Sequence, residues 1–157
     1  MKVIFLDVDG VLNCIESKSR QGCYIGIDDI RVKRLKEIVD KTGAKIVLTS
    51  TWKLGWEVTD KECMKDGGKY LDRKMKRQNL TILDKTYDHG WNRGFGITHY
   101  LNTHDVDTWV VLDDEIFKDY EAEGILPHLV KTNFYDENGG IQEEHVKKAI
   151  ELLNKED

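Results

Sequence analysis

The residues best placed to do chemistry are acids at the ends of apolar runs. In FLDVDGVLN (5–13), the run Val3–Leu6 leads directly into Asp7 and Asp9, with Gly10 next. On extended backbone, residues two apart project to the same side, so both carboxylates would face one place. A second pair, Asp113 and Asp114, ends DTWVVLDD, and Thr49 and Ser50 end AKIVLTS. Carboxylates gathered together repel one another and are costly if unpaired. A hard divalent cation with oxygen ligands removes that cost; Mg²⁺ takes one or two carboxylates and still accepts phosphate oxygens. The bland alternative is a set of turns, since Asp before Gly is a common turn signal. DVDG alone does not separate the two readings, whereas DVDG, LTS and LDD together favour a metal and phosphate site.

These residues need elements to position them. Apolar runs at 2–7, 44–50, 80–86, 107–114 and 128–133 read as strands. They are apolar at consecutive positions, which fits strands covered on both faces. Helical patterns lie at 27–43, 68–78, 95–104 and 141–156. The first would bury Ile30, Leu35, Ile38 and Val39, start at Asp28 or Asp29 and stop at Gly43. Strand and helix alternate, which predicts an α/β domain, a Rossmann-like three-layer sandwich with a mostly parallel five-stranded sheet. In such sheets ligands bind at the carboxyl ends of the strands, where the strand order reverses. If the first and fourth strands are neighbours, Asp7, Asp9, Asp113 and Asp114 meet in one crevice. The segments 13–26 and 51–68 show no clear period and read as short inserts of the kind that form lids.

The bulk numbers set limits. A chain of 157 residues suits one domain, 1–157. Its net charge of -5 argues against general affinity for nucleic acid without excluding a local basic patch. No apolar run is long enough to span a membrane, and Asp7 and Asp9 interrupt the N-terminal apolar run where a signal peptide would continue it. A cytoplasmic location is expected. Cys14, Cys23 and Cys63 show no CxxC spacing, so free thiols are expected.

The same residues resemble the motifs of the haloacid dehalogenase (HAD) superfamily of phosphohydrolases. Asp7-Val8-Asp9-Gly10-Val11 resembles its first motif, IVLTS its second, Arg93 at a helix start its third, and VVLDDE its fourth, in order along essentially the whole chain. LTSTW with Lys53, RGFGITHYL, HLVKTN and GGIQEEHVKKAIELL are similar to a subgroup of small HAD domains associated with RNA-repair proteins. The resemblance implies a HAD-like fold with a minimal cap or none, and a Mg²⁺-dependent phosphatase acting on a phosphate monoester. A nucleotide or a nucleic-acid terminal phosphate is the substrate it suggests, and small phosphometabolites stay open.

By the same resemblance, Asp7 would be the nucleophile that forms an aspartyl-phosphate. Asp9 would be general acid and then base, and would give its backbone carbonyl to the metal. Asp7 and Asp114 would be metal carboxylates, with Asp113 a further ligand or an outer group. Thr49 or Ser50 would hold a phosphoryl oxygen, and Gly10 would let the chain turn beside the substrate. Arg93 would neutralise the phosphoryl group, with Lys53 as the competing candidate. A cation at a helix start is mildly unfavourable, which itself points to a role for Arg93.

Other residues read as structural. Trp52, Trp56 and Trp91 flank the site, where aromatic faces can stack bases, yet each reads more simply as core; Trp109 lies within a strand. KDGGKYLDRKMKR (65–77) is the most basic stretch and reads as a solvated helix face, with a polynucleotide backbone as the alternative. A receiver-like signalling module would need an acidic pair after the first strand and an Asp after the third, which LTILDKT does not supply. A non-catalytic phosphate-binding module would not need all four motifs.

Overall fold

Alternate residues of the apolar runs enter two separate cores. Ile4, Leu6, Ile46, Leu48, Val110 and Leu112 belong to one, and Val3, Phe5, Val47 and Val111 to the other. A strand covered on both faces has no solvent side, hence the consecutive apolar positions. The computed structural model describes residues 1–156. Its strands are β1 (Lys2–Leu6), β2 (Arg20–Gln21), β3 (Tyr24–Ile25), β4 (Lys45–Leu48), β5 (Ile82–Lys85), β6 (Thr108–Asp113) and β7 (Leu129–Lys131). Its helices are α1 (Asp29–Thr42), α2 (Asp66–Lys76), α3 (Arg93–Thr103) and α4 (Glu143–Leu153). The main sheet has five strands in the order β5-β4-β1-β6-β7, and every pairing in it is parallel.

Right-handed crossovers explain the layers. From β1 the chain steps through α1 to β4 and through α2 to β5, then reverses through α3 to β6, on the other side of β1. The reversal changes the face that is covered. Val32 and Leu35 of α1, Leu71 of α2 and Val146 of α4 pack in the first core, while Ile97 and Tyr100 of α3, with Tyr120 and Ile125, fill the second. Strand order therefore switches beside β1, and the first and fourth predicted strands are indeed neighbours.

The inserts are small. Residues 13–26 carry the antiparallel hairpin β2–β3, and residues 51–68 form 3-10 turns at Thr51–Gly55 and Lys61–Cys63 before entering α2. Asp28 stands at the N-cap of α1, but its side chain makes no cap bond. It accepts instead from the hydroxyls of Ser17 and Ser19 and from Arg31, which ties the hairpin insert to α1.

Some expectations need correction. Ile30 is exposed and Val32 is buried in its place. Two residues turn a helix by roughly 200°, so both cannot face the sheet. Trp91 is 71% exposed, because it lies in the loop between β5 and α3 rather than in an element. Trp56 is fully buried, and Trp109 is half-buried with its ring stacked on His128. All the cysteines are free. Among the described residues, no helix is long and apolar enough to cross a membrane.

Candidate active site

The sheet's hydrogen bonding runs past the ends of its strands. Asp7 N–H donates to Leu112 O, Thr49 N–H to Leu6 O, Thr86 N–H to Leu48 O and Thr132 N–H to Asp113 O, at 2.9–3.0 Å. The residues just beyond β1, β4, β5 and β7 are therefore held as firmly as the strands. Backbone bonds from Val11 and Leu12 to Val8 O then close a tight turn after Asp7. Gly10, at φ +86°, makes that turn possible. A Cβ on Gly10 would lie 2.2 Å from Asp114 Cγ, so the missing side chain is also the space in which Asp114 sits.

Asp7 is buried at the floor of the site. Carboxylate oxygens of Asp7, Asp113 and Asp114 all lie within 4.8 Å of one another. Burial, followed by the charge of Asp113, raises the Asp7 carboxyl well above its ordinary range, against the pull of Arg93. Burial likewise raises Asp114. Arg93, the first residue of α3, reaches back from the neighbouring helix: its Nη1 is 3.3 Å from Asp7 Oδ1 and 2.9 Å from Asp113 Oδ2. Burial works against this guanidinium, yet Asp7 and Asp113 hold its proton affinity above the ordinary value. The ring of Phe117 lies 4.1 Å from it. The mismatch of a cation with a helix start is answered locally. Asp119 accepts from the N–H groups of Gly94 and Phe95, and Gly94 has no Cβ to block that approach.

Asp113 and Asp114 differ in their partners. Asp113 is fully buried; its Oδ2 accepts from Arg93 and from the Tyr120 hydroxyl (2.7 Å), and its Oδ1 accepts from Glu115 N–H. Burial and the negative charge of Asp113 push the Tyr120 hydroxyl up, so it stays a donor. Asp114 is half-buried and lines the cleft.

Asp9 lies outside the acidic cluster but lines the same cleft, and its carboxylate is held in a clamp. Its Oδ1 accepts from Asn13 Nδ2 at 2.9 Å and its Oδ2 from Trp52 Nε1 at 3.0 Å. Asn13 also accepts from Gly10 N–H and donates to Gly26 O, which fixes it between the turn and the hairpin. Trp52 is thus not only core filler. The clamp passed unnoticed in the sequence although Asn13 closes the stretch FLDVDGVLN, four residues after Asp9. Tyr120 and Asp119 lie in a charged segment with no pattern that singles them out.

The competing candidates have different partners. Thr49 and Ser50 are both buried, but Ser50 Oγ accepts from Trp52 N–H while Thr49 Oγ1 has no hydrogen-bond partner among the described residues. Lys53 is buried against Asp88 and the Thr86 hydroxyl rather than against Asp7. A cleft of about 1030 Å³ opens above Asp7, Asp9, Arg93 and Asp114. Trp52 and Phe117, Tyr24 and Cys23 of the hairpin insert, and Lys65 wall it. A side cavity of about 250 Å³ joins Thr49, Lys53 and Arg93.

The donor set suits a hard cation. Asp7 and Asp114 offer carboxylate oxygens that are disfavoured as bare charges, next to one another and open to the cleft. Acids at the carboxyl edge of a five-stranded parallel sheet, with a buried cation from a crossover helix, define a HAD-type domain. The profile of the family described as "HAD domain in Swiss Army Knife RNA repair proteins" matches residues 3–146, and the chain belongs to that family. No curated protein and no solved structure matched the chain.

Proposed function

We propose that the protein is a Mg²⁺-dependent phosphohydrolase that works through an aspartyl-phosphate on Asp7. The observation that carries this reading is the surrounding of Asp7: one buried carboxylate, touched by Arg93, beside Asp114, at the floor of an open cleft. Arg93 orients and neutralises both Asp7 and the incoming phosphoryl oxygens. The unpartnered hydroxyl of Thr49, which lines the side cavity with Arg93, donates a hydrogen bond to a phosphoryl oxygen. Lys53, committed to Asp88, supports the loop rather than the phosphate.

Asp7 and Asp114 would hold Mg²⁺, with Asp113 outside the direct ligands because it is fully buried against Arg93 and Tyr120 whereas Asp114 lines the cleft. The bound ion supplies electrostatic stabilisation of phosphoryl charge. Asp7 attacks phosphorus while Asp9, held by Asn13 and Trp52, gives its proton to the leaving oxygen; Asp9 then takes a proton from the water that attacks the aspartyl-phosphate. The cleft is open and the inserts are short, which favours a large substrate. With the family's description, this supports a nucleotide or nucleic-acid terminal phosphate.

The test is a hydrolysis screen with Mg²⁺ and with EDTA, pairing small phosphate esters with 3′- and 5′-phosphorylated oligonucleotides. Wild type should release phosphate only with Mg²⁺, and Asp7→Asn should release none. Equal turnover by the two proteins sinks the nucleophile assignment, and turnover of small esters alone sinks the nucleic-acid substrate.

A further inference from the structure

The structure carries a line of cations that the catalytic site does not use. Helix α2 runs for 11 residues away from the cleft. Lys65, at its N-cap, lines the cleft, and Lys69, Arg73 and Lys76 follow at spacings of four, four and three. Side chains at those spacings fall on one stripe of a helix. Every one of them is exposed, and none has an acidic partner among the described residues. The other cations of the helix are spent on packing: Lys74 is buried against Asp29, and Arg77 reaches the same carboxylate. The acids of the helix do not neutralise the stripe either. Asp72 accepts from Trp56 Nε1 and faces Lys61, and Asp66 sits in the first turn, where it suits the helix dipole.

An unpaired cationic stripe is unexpected on a chain whose net charge is -5. A merely solubilising face would mix signs. This one begins at the cleft wall, beside Trp52 and the exposed Tyr24. Aromatic faces at the mouth followed by a single file of cations match a chain of stacked bases on a phosphate backbone. Resting on the phosphatase reading above, we infer that α2 is a track for a single-stranded polynucleotide whose terminal phosphate enters the cleft. The end nucleotide stacks against Trp52 and Tyr24, and the backbone behind it follows Lys65, Lys69, Arg73 and Lys76. From Lys65 to Lys76 the helix rises about 16 Å, room for roughly five nucleotides at about 3.4 Å each.

The track is measured by binding, independently of turnover, in the Asp7→Asn protein. The probe is a fluorescent 3′-phosphorylated oligonucleotide of two, five or ten residues, read by anisotropy. Affinity should climb from two to five residues and then level off. Each phosphate contact on a single strand contributes a log–log salt slope of about 0.7, so the full stripe should weaken binding roughly 50-fold between 50 and 200 mM salt. With Lys69→Gln, Arg73→Gln and Lys76→Gln together, the same change should cost only about threefold. A flat salt response in the parent, or equal affinities for parent and variant, overturns the track. Tighter retention on phosphatidylserine vesicles than on the oligonucleotide also overturns it, since the stripe would then be a membrane surface. Hydrolysis of p-nitrophenyl phosphate by wild type is scored separately. Failure on this ester and on the 3′- and 5′-phosphorylated oligonucleotides alike would remove the phosphatase reading while the binding result still stands.

Discussion

Removing one N–H from the Asp9 clamp should slow some substrates and spare others. Trp52→Phe keeps an aromatic ring in the wall and deletes the donor that lies 3.0 Å from Asp9 Oδ2. Asp9 is protonated and neutral when it acts as the acid, and a hydrogen bond to a neutral group is worth up to about 1.5 kcal/mol. Asn13 still holds its other oxygen. If that energy aims Asp9 at the leaving oxygen, about 1.4 kcal/mol corresponds to a tenfold loss of rate. The loss should depend on the leaving group. An alkoxide must be protonated as it departs, whereas p-nitrophenolate leaves well without a proton. The assay is therefore kcat/KM, which reads the steps through formation of the phosphoenzyme, for an alkyl phosphate and for p-nitrophenyl phosphate. Trp52→Phe should lower the first about tenfold and the second by less than about twofold, and Asn13→Ala should show the same asymmetry. Equal losses on both esters would refute the positioning argument, because a loosened wall does not discriminate between leaving groups. Each carboxylate oxygen has two lone pairs, so the clamp and a transferable proton can coexist on Asp9.

Gly10→Ala would put a Cβ 2.2 Å from Asp114 Cγ and strain a residue at φ +86°, so it should lower stability by more than about 1 kcal/mol and weaken Mg²⁺ binding in calorimetry. Tyr120→Phe removes the buried hydroxyl from Asp113; about 1.5–3 kcal/mol at about 2–4 °C per kcal/mol predicts a Tm lower by roughly 3–12 °C, read by thermal unfolding. Asp7→Asn should stabilise the metal-free protein. Burial and Asp113 raise the folded carboxyl well above its unfolded value of 3.8, so the folded chain keeps a proton that the unfolded chain releases, and wild-type stability falls as pH rises above that value. The advantage of Asp7→Asn in EDTA should widen with pH toward neutrality and shrink when Mg²⁺ is added; a constant gap across pH would contradict the raised Asp7 carboxyl.

The layered fold was legible because its signal is repetitive. Each strand shows consecutive apolar positions, and each core helix shows a periodic stripe, so one misplaced residue such as Ile30 does not alter the architecture. The acids at the strand ends were legible for a related reason: a strand fixes where its next residue goes, and the chain order of LDVDG, VLTS and VLDD survives folding. The choice between neighbours was not legible. Thr49 and Ser50 are both small hydroxyl residues, and only their partners separate a free hydroxyl from a capping one. Arg93 and Lys53 are both cations near the site, and only the position of Asp88 shows that Lys53 is already paired. Asn13, Tyr120 and Asp119 act through contacts with residues brought near by the fold, so local patterns carry no trace of their roles. Trp91, read as core, is a loop residue, because neither hydrophobicity nor proximity to a motif reports burial on its own.

The pairing of β6 with β1 gives the doublet Asp113–Asp114 an unusual sensitivity. Side chains on a strand alternate sides, so the neighbouring acids cannot stand in for one another. Asp113 is turned into the protein, onto Arg93 and Tyr120, and Asp114 into the space left by Gly10. Two identical letters thus encode one internal counter-charge and one carboxylate that lines the cleft, and which letter means which is written in strand register. An acid lost at one position is not restored by keeping the other. A single-residue slip of β6 would leave the composition untouched while putting Leu112 in the place of Asp113, or Glu115 in that of Asp114.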